Sequence, residues 1–125
     1  MIYVEGRMIE RLRVLLVEPE EKFKRLIKYI LLTEYNDVHI VELDSLDQLD
    51  SVIEQNYFDL AISDVTAFSV LQGEIIQMLR KRLPLIPIIA TYKEFDPLIK
   101  SLAILRGANT FLAKEKQSIN SLPEI

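Results

Sequence analysis

Asp64 closes the apolar run Phe58-Asp59-Leu60-Ala61-Ile62-Ser63-Asp64. A run of that length reads as a strand buried on both faces, which tolerates a charge only at its end. Three other strand-like runs also end in polar residues. Val14 to Val17 leads into Glu18, Pro87 to Ala90 into Thr91, and Thr110 to Ala113 into Lys114. In open parallel sheets the carboxyl ends of the strands face the functional crevice. A carboxylate nucleophile, a second acid, a hydroxyl and an amine are therefore expected on one rim.

The elements that must carry this rim follow from periodicity. Arg13 to Val17 reads as a buried strand. Phe23, Leu26, Ile27, Ile30 and Leu31 recur at helical spacing and predict a helix from about Glu20 to Glu34, opened by Pro19 and acids that suit a helix start. Val38 to Leu43 reads as a strand near the sheet edge. Ser45 with Gln48 forms a capping-box pattern ahead of a second helix through Leu46, Leu49, Val52 and Ile53. After Asp64, Val65 to Leu71 is a loop. A third helix then points Ile75, Ile76, Leu79 and Leu83 inward and stops at Pro84. Ile86 to Ala90 is the fourth strand. Asp96-Pro97 is an N-cap and first-turn proline for a fourth helix, which closes at Gly107. Thr110 to Ala113 is the fifth strand, and a short last helix is expected from about Ser118.

Strands and helices thus alternate, the pattern of an α/β doubly wound parallel sheet. Right-handed crossovers leave few topologies, and the five-stranded flavodoxin-like order 2-1-3-4-5 is expected. Its switch point lies between strands one and three, where Glu18 and Asp64 end. Residues 1–11 form an N-terminal arm of undecided structure, and residues 12–125 form the domain.

Composition excludes several classes. A length of 125 residues gives one domain. A net charge of −4 argues against direct nucleic-acid binding, which needs a basic face. The one basic cluster, Arg80-Lys81-Arg82, falls at a predicted helix end, where cations complement the macrodipole. The absence of cysteine removes disulfides and thiol chemistry. No apolar run is long enough for a membrane span, and the first residues lack a signal-peptide pattern, so a cytoplasmic protein is expected. His39 has no partner histidine or cysteine for a metal role.

At about residues 13–122 the chain resembles the receiver domain of bacterial response regulators, the family of the chemotaxis regulator. The resemblance rests on Glu18, Asp64, Thr91 and Lys114 at four strand ends, with Gly107-Ala108 and Phe111 also fitting. It implies that Asp64 is the phosphoacceptor, Thr91 the switch hydroxyl and Phe111 the aromatic switch residue. It also implies a Mg²⁺ held by Asp64, Glu18, Glu20 and the backbone of Thr66. The chemistry agrees. An attacking carboxylate needs its repulsion from phosphate cancelled, oxygen ligands suit Mg²⁺, and Lys114 would neutralise a phosphoryl oxygen as a point charge. The implied role is that of a two-component phosphorelay receiver, not an enzyme. Its partners would be a histidine kinase or phosphotransfer protein and an output protein or effector domain, with a homodimer as a further possibility.

The chain departs from the family pattern at named places. Pro19 stands where a second acid is usual, Tyr92 where a small residue follows the hydroxyl, and Glu115 where a proline follows the lysine. A pseudo-receiver, a docking module independent of phosphate, is the alternative. A flavin module would need a phosphate-cradling loop after the first strand, where Glu18-Pro19-Glu20-Glu21 would repel phosphate. A haloacid-dehalogenase-type phosphatase would need a second aspartate where Thr66 stands.

Overall fold

The computed structural model describes residues 2–4, 7–9, 11–69, 71, 73–115 and 118. Near the N-terminus, β1 (Ile2–Val4) and β2 (Arg7–Ile9) pair antiparallel as a separate two-stranded sheet, with Ile2 opposite Ile9. The undecided arm is thus a hairpin over these residues. The domain then runs β3 (Leu12–Val17), α1 (Glu21–Glu34), β4 (Val38–Glu42), α2 (Leu49–Gln55), β5 (Leu60–Asp64), α3 (Glu74–Arg82), β6 (Ile88–Tyr92), α4 (Pro97–Leu105) and β7 (Thr110–Ala113). The last helix expected from about Ser118 lies outside the described residues.

All five strands from β3 onward are parallel, in the order β4-β3-β5-β6-β7. Counted within that sheet, this is the expected 2-1-3-4-5. Successive side chains on a strand point to opposite faces. Leu12, Val14 and Leu16 of β3 pack with Ile27, Ile30 and Leu31 of α1, together with Ile62 and Ile89. Leu15, Val17, Ala61, Ile88 and Ala90 face the other way, into a second core with Leu49, Ile75, Ile76, Leu79 and Ile99. The sheet is therefore covered on both sides, and its central strands are almost wholly apolar for that reason.

Local chemistry sets most boundaries. Asp96 accepts the Leu98 amide at 2.8 Å, with Pro97 in the first turn of α4. Arg80, Lys81 and Arg82 occupy the last turn of α3, the position expected for them. Gly107 takes φ +125°, which admits glycine and few other residues, and ends the turn after α4. One expectation fails. Ser45 precedes a 3₁₀ turn at Leu46–Gln48 and makes no side-chain cap bond, so the capping box does not form. A 3₁₀ turn places side chains at a different angular spacing from the α-turn that the box needs.

Candidate functional site at the carboxyl rim

The period-two alternation of the sheet also builds the site. Each rim residue lies two positions beyond a residue of the α1-facing core: Glu18 after Leu16, Asp64 after Ile62, Thr91 after Ile89, and Lys114 after Leu112. All four therefore share one parity. The register sets Leu16 opposite Ile62 and Asp64 opposite Thr91, while Thr91 stands opposite Leu112, so Lys114 lies two residues farther along its strand and its long side chain reaches back to the rim. Backbone bonds fix the ends: the Val65 amide donates to the Thr91 carbonyl at 3.0 Å, and the Lys114 amide to the Tyr92 carbonyl at 2.7 Å.

Lys114 is the centre of the rim. Its ammonium makes an ion pair with Asp64 Oδ2 and another with Glu18 Oε2 at 2.8 Å. The side chains of Lys114 and Glu18 are each only 1 % exposed. The Phe23 ring of α1 lies under the ammonium, 5.5 Å from ring centroid to Nζ. Glu20 Oε1 is farther away, 3.9 Å from Lys114 and 3.8 Å from Lys93. Burial pulls the Lys114 ammonium down, but the hydrogen bonds and charges of Asp64 and Glu18 together outweigh it and hold the group above its ordinary 10.5. Burial pushes the Glu18 carboxyl above its ordinary 4.5, against the pull of Lys114 and of the Glu20 amide.

Asp64 is held on its other side too. Oδ1 accepts both the amide and the hydroxyl of Thr66, each at 2.7 Å. Thr66, whose backbone is expected among the metal ligands, is a double donor to Asp64 through its amide and hydroxyl. The signal was the Asp-x-Thr spacing, in which an Asp oxygen reaches groups two residues on. Lys93, which approaches Glu20, was also missed. Its position in the loop after β6 carries no periodic signal that could have found it.

Asp64 opens into a hollow of about 250 Å³, lined with Thr66, Lys114, Glu20, Tyr92 and Lys93 among others. Glu94 stands at its exposed margin. Thr91 is outside this lining. It is fully buried, and its hydroxyl oxygen has no partner among the described residues. Phe111, the expected switch aromatic, is half-buried and stacks on Tyr92 with centroids 4.3 Å apart and planes at 21°. Tyr92 also meets Phe95 edge-on at 5.8 Å.

Of the acids that the family resemblance implies for Mg²⁺, Asp64 and Glu20 line one hollow and Glu18 does not. Mg²⁺ is usually held by one or two carboxylates together with waters and phosphate oxygens. Glu18 does not line the hollow of Asp64. It lines a second one, of about 350 Å³, with Pro19, Lys24, Asp44 and Phe68. Both oxygens of Asp64 have internal donors, Pro19 offers no side-chain oxygen, and no group of three potential ligands stands together among the described residues.

Neither a family profile nor a curated protein matches the chain. Solved structures do. An orphan response regulator of H. pylori, HP1043, aligns with TM-score 0.72 and 18 % identity over 90 % of this chain and 91 % of its own. The Mn²⁺-bound form of response regulator Rcp1 aligns at 0.79 and 16 % identity, over 91 % and 93 %. Chemotaxis response regulator CheY4 of Vibrio cholerae aligns at 0.72 and 18 % identity, over 87 % and 92 %. The chain has the fold of these receiver domains. No helix among the described residues is long and apolar enough to cross a membrane.

Proposed function

We propose that this chain is a receiver module of two-component signal transduction, with Asp64 as the phosphoacceptor. The observation that carries the reading is the contact of Asp64 with Lys114 at the rim, reached from two different strand ends. Lys114 supplies the positive charge that an anion attacking another anion requires. Oδ2, the oxygen facing Lys114, bonds to phosphorus while the bond from phosphorus to the donor breaks and its electron pair leaves with the donor group. Thr66 keeps its two bonds to Oδ1 and fixes the carboxylate. Lys114 then transfers its contact to a phosphoryl oxygen.

In this reading the unpartnered hydroxyl of Thr91 turns towards the phosphoryl group, and Phe111 follows into the space it leaves. The face formed by α4 and β7 is thereby repacked for a partner. The chain accepts and holds a phosphoryl group without being an enzyme in its own right. A cytoplasmic histidine kinase or phosphotransfer protein supplies the group, and an output protein, an effector domain or a second copy reads the change.

A second reading has its own support. Pro19 and the doubly engaged Asp64 favour a pseudo-receiver that docks a partner without phosphate, and one similar structure is of an orphan regulator. Incubation with a small acyl phosphate, followed by the intact mass of the protein, separates the two. An adduct present in the wild type and absent in Asp64→Asn is expected. No adduct, or one that persists in Asp64→Asn, rejects the acceptor reading.

A further inference from the structure

Tyr92 stands opposite Ala113, so the residues that follow them, Lys93 and Lys114, leave adjacent strand ends side by side. The Lys114 amide ties the two ends by donating to the Tyr92 carbonyl at 2.7 Å. Like charges at neighbouring positions of adjacent strands repel, and an anion between them relieves the repulsion. Glu20 supplies one. Its Oε1 lies 3.8 Å from the Lys93 ammonium and 3.9 Å from that of Lys114. Both contacts are long beside the 2.8 Å that joins Lys114 to Glu18. The Glu20 amide is anchored to Glu18 Oε2 at 3.1 Å, and Glu20 is the N-cap residue of α1, yet its carboxylate caps no amide of that helix. The side chains of Glu20 and Lys93 are 39 % and 67 % exposed. The backbone of Glu20 is thus fixed, while its carboxylate is loosely held between two ammonium groups in the hollow of Asp64.

We infer that Lys93 and Lys114 form a two-ammonium clamp for the oxygens of a phosphoryl group entering this hollow, and that the Glu20 carboxylate is its resident occupant, displaced when the group arrives. The position of Glu20 Oε1 marks where one anionic oxygen meets both charges. A phosphoryl group brings more oxygens and more charge than a single carboxylate. The contacts it must replace are between partly exposed side chains and are weak. That the anion is a phosphoryl group bound for Asp64 rests on the acceptor reading; the clamp itself is measured apart from it.

Inorganic phosphate is titrated at constant ionic strength with divalent cations chelated, and the amide signals of Thr66 and Lys114 are followed by NMR. Lys93→Gln should weaken binding roughly three- to tenfold, and Glu20→Gln should tighten it by a similar factor. Lys93→Arg keeps the charge and should stay within about twofold of the wild type. Lys100→Gln removes the same charge from α4, where Lys100 lines a separate hollow, and should change nothing. Uptake from a small acyl phosphate, read by intact mass, should slow roughly three- to tenfold in Lys93→Gln, and rising salt should narrow its gap to the wild type.

Phosphate that shifts neither amide in the wild type or in Glu20→Gln overturns the inference. So does a Lys93→Gln that binds as the wild type does, a Lys93→Arg as weak as Lys93→Gln, or a Glu20→Gln that binds no tighter. A loss in Lys100→Gln as large as in Lys93→Gln also overturns it, since net charge alone would then set the affinity. Phosphate binding that follows the expected pattern in a chain that takes up no phosphoryl group defeats the acceptor reading and leaves the clamp standing. Uptake at Asp64 that Lys93→Gln leaves unaltered overturns the clamp and leaves the acceptor reading standing.

Discussion

Glu18 and Lys114 form a buried ion pair of 2.8 Å, with each side chain 1 % exposed, and Lys114 carries Asp64 on its other contact. Two acids thus depend on one ammonium. Separating one partner from a buried charge cluster leaves the others desolvated and uncompensated. Lys114→Met should therefore lower stability by about 3–5 kcal/mol near neutral pH, read as a fall in the urea midpoint. A loss under about 1 kcal/mol would mean that the pair is as weak as a surface one.

The same pair predicts an alkaline limb. The folded-state pKa of Lys114 lies above its ordinary 10.5, held there by Asp64 and Glu18 against burial. The native state keeps its proton longer than the unfolded chain. Its contribution is fully present below 10.5 and fades as the pH rises through the higher folded value. The stability gap between wild type and Lys114→Met should narrow across that alkaline window. A gap that stays constant would place the folded pKa at its ordinary value.

Glu18 predicts a limb of opposite sense. Burial raises its folded pKa above 4.5, so the native state binds more protons than the unfolded chain between those two values. Stability from this group is greatest below 4.5 and falls as the pH rises to the folded pKa. Measured as wild type minus Glu18→Gln, the difference should decline over that acid window and then level off. A difference that grows with rising pH would show that Lys114 outweighs burial.

The rim was legible because alternation fixes the face of every strand residue. A polar residue two places after a buried one must lie on the same side, as Asp64 does after Ile62 and Lys114 after Leu112. The sheet order followed from handedness and helix spacing. What the rim residues touch was less legible. The sequence does not reveal that Lys114 would lie between Glu18 and Asp64, because that depends on the reach of a flexible stem across three strand ends. The left-handed Phe68, at φ +63° in the loop after β5, had no glycine or asparagine to announce it. The capping box failed because Ser45 and Gln48 satisfy a pattern whose geometry the 3₁₀ turn does not supply.

Arg80 predicts a structural effect away from the rim. Its guanidinium donates to the carbonyl of Gly107 at 2.7 and 3.1 Å, to that of Ile86 at 2.7 Å, and to Asn109 Oδ1 at 2.7 Å. It joins the end of α3 to the entries of β6 and β7. A lysine keeps the charge but not the planar fork. Arg80→Lys should cost about 1–3 kcal/mol in urea unfolding while leaving phosphoryl uptake at Asp64 unchanged. An altered uptake rate would mean that the clamp reaches the rim.

Tyr92 stands at the mouth of the hollow of Asp64, where its ring is fixed by Phe111 at 4.3 Å and Phe95 at 5.8 Å. In the acceptor reading this ring narrows the hollow that a donor enters, and Phe111 leaves it to move inward. Tyr92→Ala removes both obstacles. Uptake from a small acyl phosphate, followed by intact mass over time, should quicken by roughly three- to tenfold, a change of up to about 1.4 kcal/mol in the barrier. The lost stacking and burial should lower stability by about 1–3 kcal/mol. Tyr92→Phe keeps the ring and should leave both quantities near wild type. Slower uptake in Tyr92→Ala would reverse the assignment, since the ring would then be positioning the donor rather than blocking it.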